Sequence, residues 1–546
     1  MTAADRLEAA LRELEAPGGP FAPDALASLD AAEAFPARAC RALDDAGLHH
    51  HYVPARHGGR LTDLTELMTL VRVVARRDLT VAVAHAKTFL GAVSVWVAGS
   101  GEQCAGLAGR VLAGAPVAWG LTEPEHGSDL LAGEVTATGR AGGPWRLDGV
   151  KWPINNATRG ELVCVLARTG RAGGPRGFDV FLVDKGRLAP GSVRHLPKAR
   201  THGIRGADIS GIAFDGAEVP GTARIGAASG LGMETTLKSL QLTRTVCIGL
   251  SLGAGDHALR LVTGFLRERR VFGRVLGDLP RVRRLLGEAV AGLRLAEVTA
   301  LACARSAHAL PAELSVASAI AKAFVPSVVQ RSIEQLAELL GARALLTETY
   351  ACGMFAKIER DHRIVGIFDG STAVNRHSLI AQFPRLARGS GTDTSGPDKS
   401  SPDPSGLDAT LTRHAPLAEL DPRRLTLFSA GGCSIVRGVP AAVRQVEAMA
   451  AGGEVSAGLA DLARAYGTAA AELHERLPAS TFTLAERYEL CFAGAAALGM
   501  WVRDPAPRDE LWLRACLTLV LDRLGTRADR DPGAFDRLAD AALERA

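Results

Sequence analysis

The spacing of apolar residues divides the first part of the chain into a helical and a strand-forming region. Residues 1–116 carry apolar side chains about 3.6 positions apart, as in the run from Leu61 to Arg77, which predicts a domain of amphipathic helices. Residues 117–225 alternate between apolar and polar positions and contain glycine-rich turns, which predicts a small β-domain. The predicted strands are Gly133–Ala137, Trp145–Leu147, Leu162–Ala167 and Phe178–Val183.

A second helical region extends over residues 226–386. The apolar period is helical in three long stretches, and an array of this length suits an antiparallel four-helix bundle. The three predicted helices are Leu237–Arg270, Val282–His308 and Leu314–Leu340.

The last part of the chain changes in composition. Residues 387–406 are rich in Gly, Ser, Asp and Pro, so they cannot bury enough apolar surface to fold and are expected to form a flexible linker. Residues 407–546 are rich in Ala, Leu and Arg at helical spacing, which predicts an all-helical extension. The extension has no cluster of titratable residues, so we expect it to pack rather than to catalyse.

The composition excludes several classes of protein. Hydrophobic residues make up 47% of the 546 residues and charged residues 22%, which is typical of a globular protein with several domains. A net charge of +4 is too small to indicate a nucleic-acid partner. The first residues do not resemble a signal peptide, and no run of about 18 apolar residues predicts a transmembrane segment. A cytoplasmic location is therefore expected.

Neither the cysteines nor a run of histidines predicts a metal site. The nine cysteines are scattered and include no CxxC pair, which is typical of proteins in a reducing compartment. His49, His50 and His51 are adjacent and cannot easily converge on one ion. We expect them at the surface or at the edge of the core.

The segment Trp119–Asp129, WGLTEPEHGSD, has the features of a ligand-binding loop. Gly127 permits close approach of a backbone, and the hydroxyl groups of Thr122 and Ser128 can hydrogen-bond to a planar or phosphate-bearing ligand. Pro124 and Gly127 favour a loop over a regular element. The string LTEPEHGSD resembles the TEPxAGSD signature of the acyl-CoA dehydrogenases, the loop that holds their flavin.

Further motifs of the same family follow in the same order. His51–Gly59 resembles a turn of its N-terminal helical domain, and Lys198–Pro220 resembles the end of its central β-domain. Arg267–Gly273, RERRVFG, resembles an "eR..FG" segment, and Leu336–Leu345 resembles "Q.lGG.G". The resemblance covers about residues 30–385. It implies an α+β fold with an N-terminal helical domain, a central β-barrel-like domain and a C-terminal four-helix bundle, followed here by the all-helical extension.

The resemblance implies FAD as the cofactor and no metal. In the family, the arginine and phenylalanine that match Arg269 and Phe272 reach the flavin of a neighbouring subunit, which implies an oligomer, here a homodimer. The longer members of the family carry a similar extension over the face that shorter members use to form tetramers. The residues expected to contact FAD are Trp119, Leu121, Thr122, Gly127, Ser128, Ile154, Asn155, Arg269, Phe272, Glu338, Gly341 and Ser371.

Several of these positions depart from the family pattern. In KWPINN, Pro153 stands where an aromatic residue usually packs against the flavin, and Asn155 stands where a hydroxyl group usually bonds near its reactive nitrogen. His126 replaces a small residue of the signature, and a glutamine of the family falls on Pro280. Glu338 replaces another glutamine. These changes predict that FAD binds in an altered environment.

The catalytic base is expected to be Asp369. Lys357–Arg376 resembles the family segment "RD.ri..IyEGT", whose glutamate falls on Asp369. The other position that carries a base in some members falls on Thr243, which cannot serve. Arg244 is expected to offset the cost of burying the carboxylate. The shorter side chain withdraws the carboxylate by about 1.5 Å, and a misplacement of about 1 Å can cost on the order of 100-fold in rate.

The expected reaction is the α,β-desaturation of an acyl thioester, carried on coenzyme A or on a carrier protein. Substrate contacts are expected from Ser128, Phe368 and Gly370, and electron-transferring flavoprotein is the expected electron acceptor. The alternative is an oxygen-using enzyme on the same fold, a monooxygenase or a decarboxylase-dehydrogenase of natural-product biosynthesis. A flavin- or acyl-binding scaffold without catalysis is the third hypothesis, which retention of a carboxylate at position 369 opposes.

Overall fold

Helices precede and follow one β-rich segment, in the order that the apolar pattern predicts. The computed structural model describes residues 2–139, 143–170, 173–388, 404–505, 508–526, 531 and 533–545. The chain divides into two units, Met1–Thr243 (unit 1) and Arg244–Ala546 (unit 2). Most of the linker predicted over 387–406 lies outside the described residues, and its two ends belong to helices.

Unit 1 begins with six helices whose starts follow from local capping. The side chain of Asp78 accepts a hydrogen bond from the Val81 amide at 2.8 Å, which caps the longest of them. That helix is apolar on all sides and almost entirely buried. The helices are α1 (Ala3–Glu13), α2 (Pro23–Ala31), α3 (Ala37–Asp45), α4 (Leu64–Ala75), α5 (Leu79–Ala98) and α6 (Gly101–Leu112).

The remainder of unit 1 is an eight-stranded mixed sheet. Its longest pair is antiparallel, and its first strand adds in parallel to the fourth. The order is β6-β7-β3-β2-β4-β5-β8, with β1 beside β4. The strands are β1 (Val117–Gly120), β2 (Thr136–Gly139), β3 (Trp145–Asn155), β4 (Leu162–Arg168), β5 (Phe178–Asp184), β6 (Val193–Leu196), β7 (Ile209–Val219) and β8 (Arg224–Ile225).

The strand predictions are right in place and wrong at several ends. The prediction of a loop over Trp119–Asp129 is wrong for Trp119 and Gly120, which pair with Cys164 and Val165 as the end of β1. Helix α5 packs on β1 so closely that a Cβ at Gly91 would lie 2.5 Å from the carbonyl oxygen of Val117. Four residues are too short to show an alternation, so β1 was not recognisable from its pattern.

Unit 2 contains the predicted bundle. The three long helices begin and end within a few residues of the predicted ones, and helix α7 crosses the boundary between the units. A two-stranded hairpin of β9 (Arg270–Val271) and β10 (Arg274–Val275) follows α7. The helices of the bundle region are α7 (Gly232–Glu268), α8 (Pro280–Ala309), α9 (Leu314–Leu340), α10 (Met354–His362), α11 (Thr372–Ile380) and α12 (Phe383–Arg388).

Among the residues that the structure describes, two helices are long and apolar enough to cross a membrane: α5 and the segment Pro311–Ala344, which contains α9. In each of them 83% of the apolar window is buried inside the protein. Their composition is therefore explained by packing in the cores of units 1 and 2 respectively.

The predicted extension is helical and packs on the bundle. Helices α13, α17, α18 and α19 all contact α8, whose Gly287 allows the backbone of Phe535 to approach. A Cβ at Gly287 would lie 1.9 Å from the Phe535 carbonyl oxygen. The helices of the extension are α13 (Pro404–Leu411), α14 (Ser434–Arg437), α15 (Val439–Ala451), α16 (Ala457–Glu475), α17 (Phe482–Trp501), α18 (Glu510–Leu524) and α19 (Gly533–Arg545).

A buried arginine of α8 joins the extension to the bundle. Arg305 is only 3% exposed, and its guanidinium group donates to the carbonyl oxygens of Ala409 and Thr410 near the end of α13. It also donates to the carbonyls of Arg413 at 2.9 Å and Ala415 at 2.7 Å. These carbonyls lie in the last turn of α13 and beyond it, where a helix has no further amides to donate to them. The Arg305 side chain therefore provides the hydrogen bonds that the end of the helix lacks.

Substitution of Arg305 tests this connection. We expect Arg305→Met, which keeps the apolar volume but removes the donors, to lower the free energy of unfolding by about 3–5 kcal/mol in urea denaturation. The matched control is Arg294→Met on the same helix, whose side chain is 43% exposed and pairs with Glu297. That change should cost less than about 1 kcal/mol, and equal small losses for both would contradict the assignment.

Candidate active site

The loop Leu121–Asp129 follows β1 and is held against a bulge in β3. The register of β3 against β7 shifts between Lys151 and Ile154, and the Trp152 amide is thereby available to the Thr122 carbonyl at 3.0 Å. The Thr122 hydroxyl donates in turn to the Pro153 carbonyl at 3.1 Å. A proline, which has no N–H to give to a ladder, is tolerated at such a bulge.

A buried ion pair also fixes the start of this loop. The Lys151 ammonium group donates to Glu123 at 2.8 Å and to the Leu121 carbonyl at 2.9 Å, and both charged side chains are no more than 5% exposed. Glu123 also accepts from the amides of Glu134 at 2.6 Å and Val135 at 3.1 Å. Four polar contacts therefore converge on the side chains of Lys151 and Glu123, and a buried ion pair needs such contacts to be stable.

The electrostatics of the pair agree with this geometry. Burial lowers the pKa of Lys151 below its ordinary value, against the opposing effect of Glu123. Burial by itself would raise the pKa of Glu123, but the charge of Lys151 and the hydrogen bonds outweigh burial and leave that pKa below its ordinary value. The Glu123 carboxyl group is thus charged at neutral pH. The sequence contains both residues inside the motifs discussed above, but nothing in their spacing indicates that they pair.

Three residues assigned to FAD in unit 1 are buried. Trp119 is 4% exposed, and its indole N–H has no hydrogen-bond partner among the described residues. Asn155 donates its amide to the Val83 carbonyl at 3.2 Å, while its own carbonyl oxygen lacks a partner in the described chain. Ile154 packs in the apolar core of the sheet, so only its backbone can be offered to a ligand.

These orphaned atoms bear on the fit of a flavin. A buried donor or acceptor without a partner costs about 1–3 kcal/mol, so an indole N–H and an amide oxygen left unpaired favour a bound polar group. Gly127 and Ser128 are exposed, and a Cβ at Gly127 would meet nothing within 4 Å, so the loop backbone is open to a ligand. Leu121 and Thr122 are half-buried. The residues of unit 1 fit a planar, phosphate-bearing cofactor such as FAD.

In unit 2, the assigned residues of the hairpin are exposed. Phe272 lies at the tip between β9 and β10 with 94% of its surface exposed and a φ of +52°. A phenylalanine rarely adopts this left-handed conformation or this exposure. Arg269, just before β9, is also exposed. The side chains of Phe272 and Arg269 are therefore exposed and can contact another molecule.

Two further assigned residues lie near the end of α9. Glu338 is within 3.7 Å of Arg281, and both side chains are mostly exposed. Gly341 ends the helix with a φ of +59°, a conformation that favours glycine. Pro280 occupies the first position of α8, where a proline costs no hydrogen bond.

Asp369 lies in the loop between α10 and α11, in a strained conformation. Its φ is +54°, and that of Gly370 is +93°. Arg244 donates from Nε to the Asp369 carbonyl oxygen at 3.0 Å, and a Cβ at Gly370 would lie 2.9 Å from Arg244 Nη2. Residue 370 must therefore be glycine. Burial lowers the pKa of Arg244 to about 10, although Asp369 opposes that shift, so the guanidinium group stays charged at neutral pH.

A buried lysine and an asparagine fix the other side of this loop. Lys322, which is fully buried, donates to the Val365 carbonyl at 2.6 Å and to the Gly370 carbonyl at 3.2 Å. Its ammonium group also lies 5.4 Å from the centre of the Phe368 ring. Asn375 donates to the Gly370 carbonyl at 2.8 Å. Sequence reasoning missed Lys322 and Asn375, because their partners are main-chain atoms that no motif displays.

The neighbours of the loop complete its support. Ser371 caps α11 by accepting from the Val374 amide at 3.3 Å, and the Cys247 thiol donates to a carboxylate oxygen of Asp369 at 3.3 Å. His362 contacts Gln330 and Ser251, and burial lowers the pKa of His362 to about 3, so it remains neutral. The structure thus brings together Arg244, Phe368, Asp369, Gly370 and Ser371 within unit 2.

The histidines and cysteines form no metal centre in the described part of the chain, where no group of three or more His, Cys, Asp or Glu residues could hold an ion. His51 is buried within 3.5 Å of Glu66, and His49 contacts the Leu112 carbonyl oxygen at 3.2 Å. These two histidines connect parts of the N-terminal helices.

Three family models match consecutive parts of the chain. They describe the N-terminal domain of acyl-CoA dehydrogenases over residues 21–115, the middle domain over 118–217 and the C-terminal domain over 230–383. The chain is 26% identical to a probable acyl-CoA dehydrogenase, FadE25, of Mycobacterium tuberculosis over 68% of this chain and 93% of that protein. It is 30% identical to the benzylmalonyl-CoA dehydrogenase of Aromatoleum aromaticum over 50% of this chain and 72% of that protein.

Solved structures share the fold at lower identity. The butyryl-CoA dehydrogenase of Megasphaera elsdenii has a TM-score of 0.63 at 21% identity, covering 70% of this chain and 99% of that one. An acyl-CoA dehydrogenase of Bacillus anthracis complexed with FAD has a TM-score of 0.71 at 19% identity and covers 100% of this chain and 94% of that one. The helical extension is therefore part of a known architecture, and the predicted α+β fold is confirmed.

The buried ion pair under the loop can be tested directly. We expect Lys151→Met to lower the free energy of unfolding by about 3–5 kcal/mol at pH 8, because the Glu123 carboxylate is left buried without its cation. The double variant Glu123→Gln/Lys151→Met should recover part of that loss in the same urea titration. A double variant no more stable than the single one would contradict a charge-pairing role for Lys151.

Proposed function

Because the chain belongs to the acyl-CoA dehydrogenase family, we propose that it desaturates an acyl thioester between the α- and β-carbons with Asp369 as the base. Membership makes it an FAD-dependent oxidoreductase. The observation that carries the proposal is the carboxylate at position 369, whose loop is fixed in a strained conformation by Arg244, Lys322 and Asn375. Strain of this kind persists where the surrounding structure over-determines it, and it concentrates at functional sites.

The residues that the family pattern assigns to the cofactor would hold it. Bound FAD would accept the hydride that leaves the β-carbon. In unit 1 the open backbone at Gly127 and the hydroxyls of Thr122 and Ser128 would supply hydrogen bonds, and the indole N–H of Trp119 would gain the acceptor that it lacks. The remaining residues proposed for the cofactor are Leu121, Ile154 through its backbone, Asn155, Arg269, Phe272, Glu338, Gly341 and Ser371.

Asp369 would take the α-proton of the thioester onto its carboxylate. Arg244 fixes the carbonyl of the same residue and keeps a positive charge beside it, which stabilises the carboxylate before the proton arrives. Gly370 offers a backbone without a side chain next to the base, and Phe368 an aromatic ring, so both would contact the substrate. Ser128 is the other residue proposed for the substrate. Coenzyme A or a carrier protein would bear the acyl group.

A second reaction is favoured by one feature of the structure. Pro153 is exposed in the bulge of β3, and the Asn155 amide donates to the Val83 carbonyl, which favours a flavin environment that differs from the family pattern. An altered flavin environment could support reaction with oxygen, as in a monooxygenase or a decarboxylase-dehydrogenase. In the desaturase, electron-transferring flavoprotein would be the acceptor instead.

An anaerobic titration with saturated acyl-CoA thioesters of increasing chain length tests the proposed reaction. We expect one of them to bleach the flavin absorbance, and Asp369→Asn to bind FAD but to bleach at least about 100-fold more slowly, since the base is lost. Glu486→Gln, a change at an exposed residue of α17, is the control. If no thioester bleaches the flavin and the reduced enzyme forms a hydroperoxide-like absorbance band in air, the oxygenase is favoured. If the flavin of Asp369→Asn is bleached at the wild-type rate, Asp369 is excluded as the base.

A homodimer is proposed from the exposed hairpin. Phe272 is 94% exposed beside the exposed Arg269, and the family pattern places such residues on the flavin of a neighbouring subunit. Light scattering should therefore give twice the chain mass of 57.1 kDa, and Phe272→Ala should weaken FAD retention about tenfold by loss of a stacked aromatic surface. Phe428→Ala, at an exposed phenylalanine of the extension, is the control. A monomer with a full complement of FAD would contradict the proposal.

A further inference from the structure

A thiol lies against the proposed base. The Sγ atom of Cys247 donates a hydrogen bond to Oδ2 of Asp369 at 3.3 Å, a normal length for a sulfur donor. Cys247 belongs to α7 and is only 2% exposed, so the thiol is shielded from water, whereas Asp369 is half-buried. Cysteine is a weak donor in general, but an acceptor that is ionised strengthens the hydrogen bond.

Helix α7 also contacts the same residue through Arg244. Arg244 lies three positions before Cys247, and side chains at this spacing share a helix face. Arg244 holds the backbone carbonyl of Asp369 at 3.0 Å, and Cys247 holds the side chain. One helix face therefore fixes both the position of the Cα and the direction of the carboxylate.

We propose that Cys247 is a positioning residue, whose thiol aims the Asp369 carboxylate and stabilises its charged form. The inference rests on the proposed function, in which Asp369 is the base. It also accounts for the aspartate. A glutamate at this position would carry its carboxylate about 1.5 Å further from the same backbone, past the thiol. Cys247 and Asp369 thus form a matched pair, in which the donor compensates for the shorter side chain by fixing its direction.

The charged groups around the pair determine the expected pH effect. Besides Cys247, α7 presents Arg244, α9 presents Lys322 at the Gly370 carbonyl, and α10 presents His362, which stays neutral. On α11, Arg376 is engaged by Glu489 and Glu486. Arg244, whose pKa is about 10, keeps its charge when Cys247 is replaced, and Lys322 keeps its contact with the Gly370 carbonyl. Loss of the thiol therefore removes one donor to the carboxylate form and makes protonation of the base easier.

The infrared S–H stretching band of Cys247 tests the contact without any turnover. The band lies in a region free of other protein absorption, and the difference between wild type and Cys247→Ala isolates it from the other eight thiols. We expect Asp369→Asn to move this band to higher frequency, because a neutral amide is a weaker acceptor than a carboxylate. A band at the same frequency in wild type and Asp369→Asn would overturn the contact.

Kinetics test the consequence for the base. We expect Cys247→Ala to keep its FAD and KM, to lose on the order of tenfold in kcat, and to shift the acidic limb of the kcat/KM profile to higher pH. Cys247→Ser, which retains a donor, should restore both. The control is Cys303→Ala, a fully buried thiol on α8 that contacts Thr245 and should leave the profile in place.

The outcomes separate this inference from the proposed function. Turnover by Asp369→Asn at the wild-type rate would overturn the proposed function and the positioning role with it. An inactive Asp369→Asn, together with a Cys247→Ala variant whose profile and kcat equal those of wild type, would overturn only the role of Cys247. A stability loss in Cys247→Ala without a shifted profile, as expected for Cys303→Ala, would reduce Cys247 to a packing residue.

Discussion

Buried cations that donate to main-chain carbonyls hold the loop after β1, the loop that carries Asp369 and the start of the extension. Lys151 supports the loop after β1, Arg244 and Lys322 support the loop that carries Asp369, and Arg305 supports the start of the extension. Each of these side chains is no more than 8% exposed. A charge taken out of water must be surrounded by dipoles or an opposite charge, and the carbonyls of an irregular segment must find donors. The carbonyls supply the dipoles that the buried cation needs, and the cation supplies the hydrogen-bond donors that the carbonyls need.

This arrangement explains why irregular backbone can be rigid at these places. The loop of residues 363–371 contains two successive residues at positive φ, one of which is not glycine. Such a conformation is unfavourable unless several contacts impose it. Arg244, Lys322 and Asn375 lie on three different helices and donate to the consecutive carbonyls of Asp369 and Gly370, so the loop is pre-formed by contacts within the chain. Pre-formation places a carboxylate in a defined direction, which proton transfer requires.

Two residues that depart from the family pattern, Asp369 and Pro153, are each accompanied by a change in their surroundings. Asp369 has a shorter side chain than the glutamate of the family, and Cys247 donates to it from the helix that also carries Arg244. Pro153 is accommodated by the bulge of β3, where the Thr122 loop takes over the hydrogen bond of Trp152. These substitutions are therefore parts of a changed local geometry, rather than isolated losses from an otherwise standard site.

The linear sequence determined the elements whose signal is periodic. The three long helices were predicted to within a few residues, because many apolar positions repeat along each of them. The TEP–GSD and RD–FDGS motifs indicated the loops that we propose for the site. Strand β1 was missed, since four buried residues carry no alternation.

Only the tertiary structure decided which groups meet: Glu123 with Lys151, Lys322 with the Gly370 carbonyl, Cys247 with Asp369. Such contacts join residues 28 to 122 positions apart. The spacing of residues in the sequence cannot predict these contacts. A buried polar group needs a partner because it has lost its water, and it loses its water only when the chain has packed.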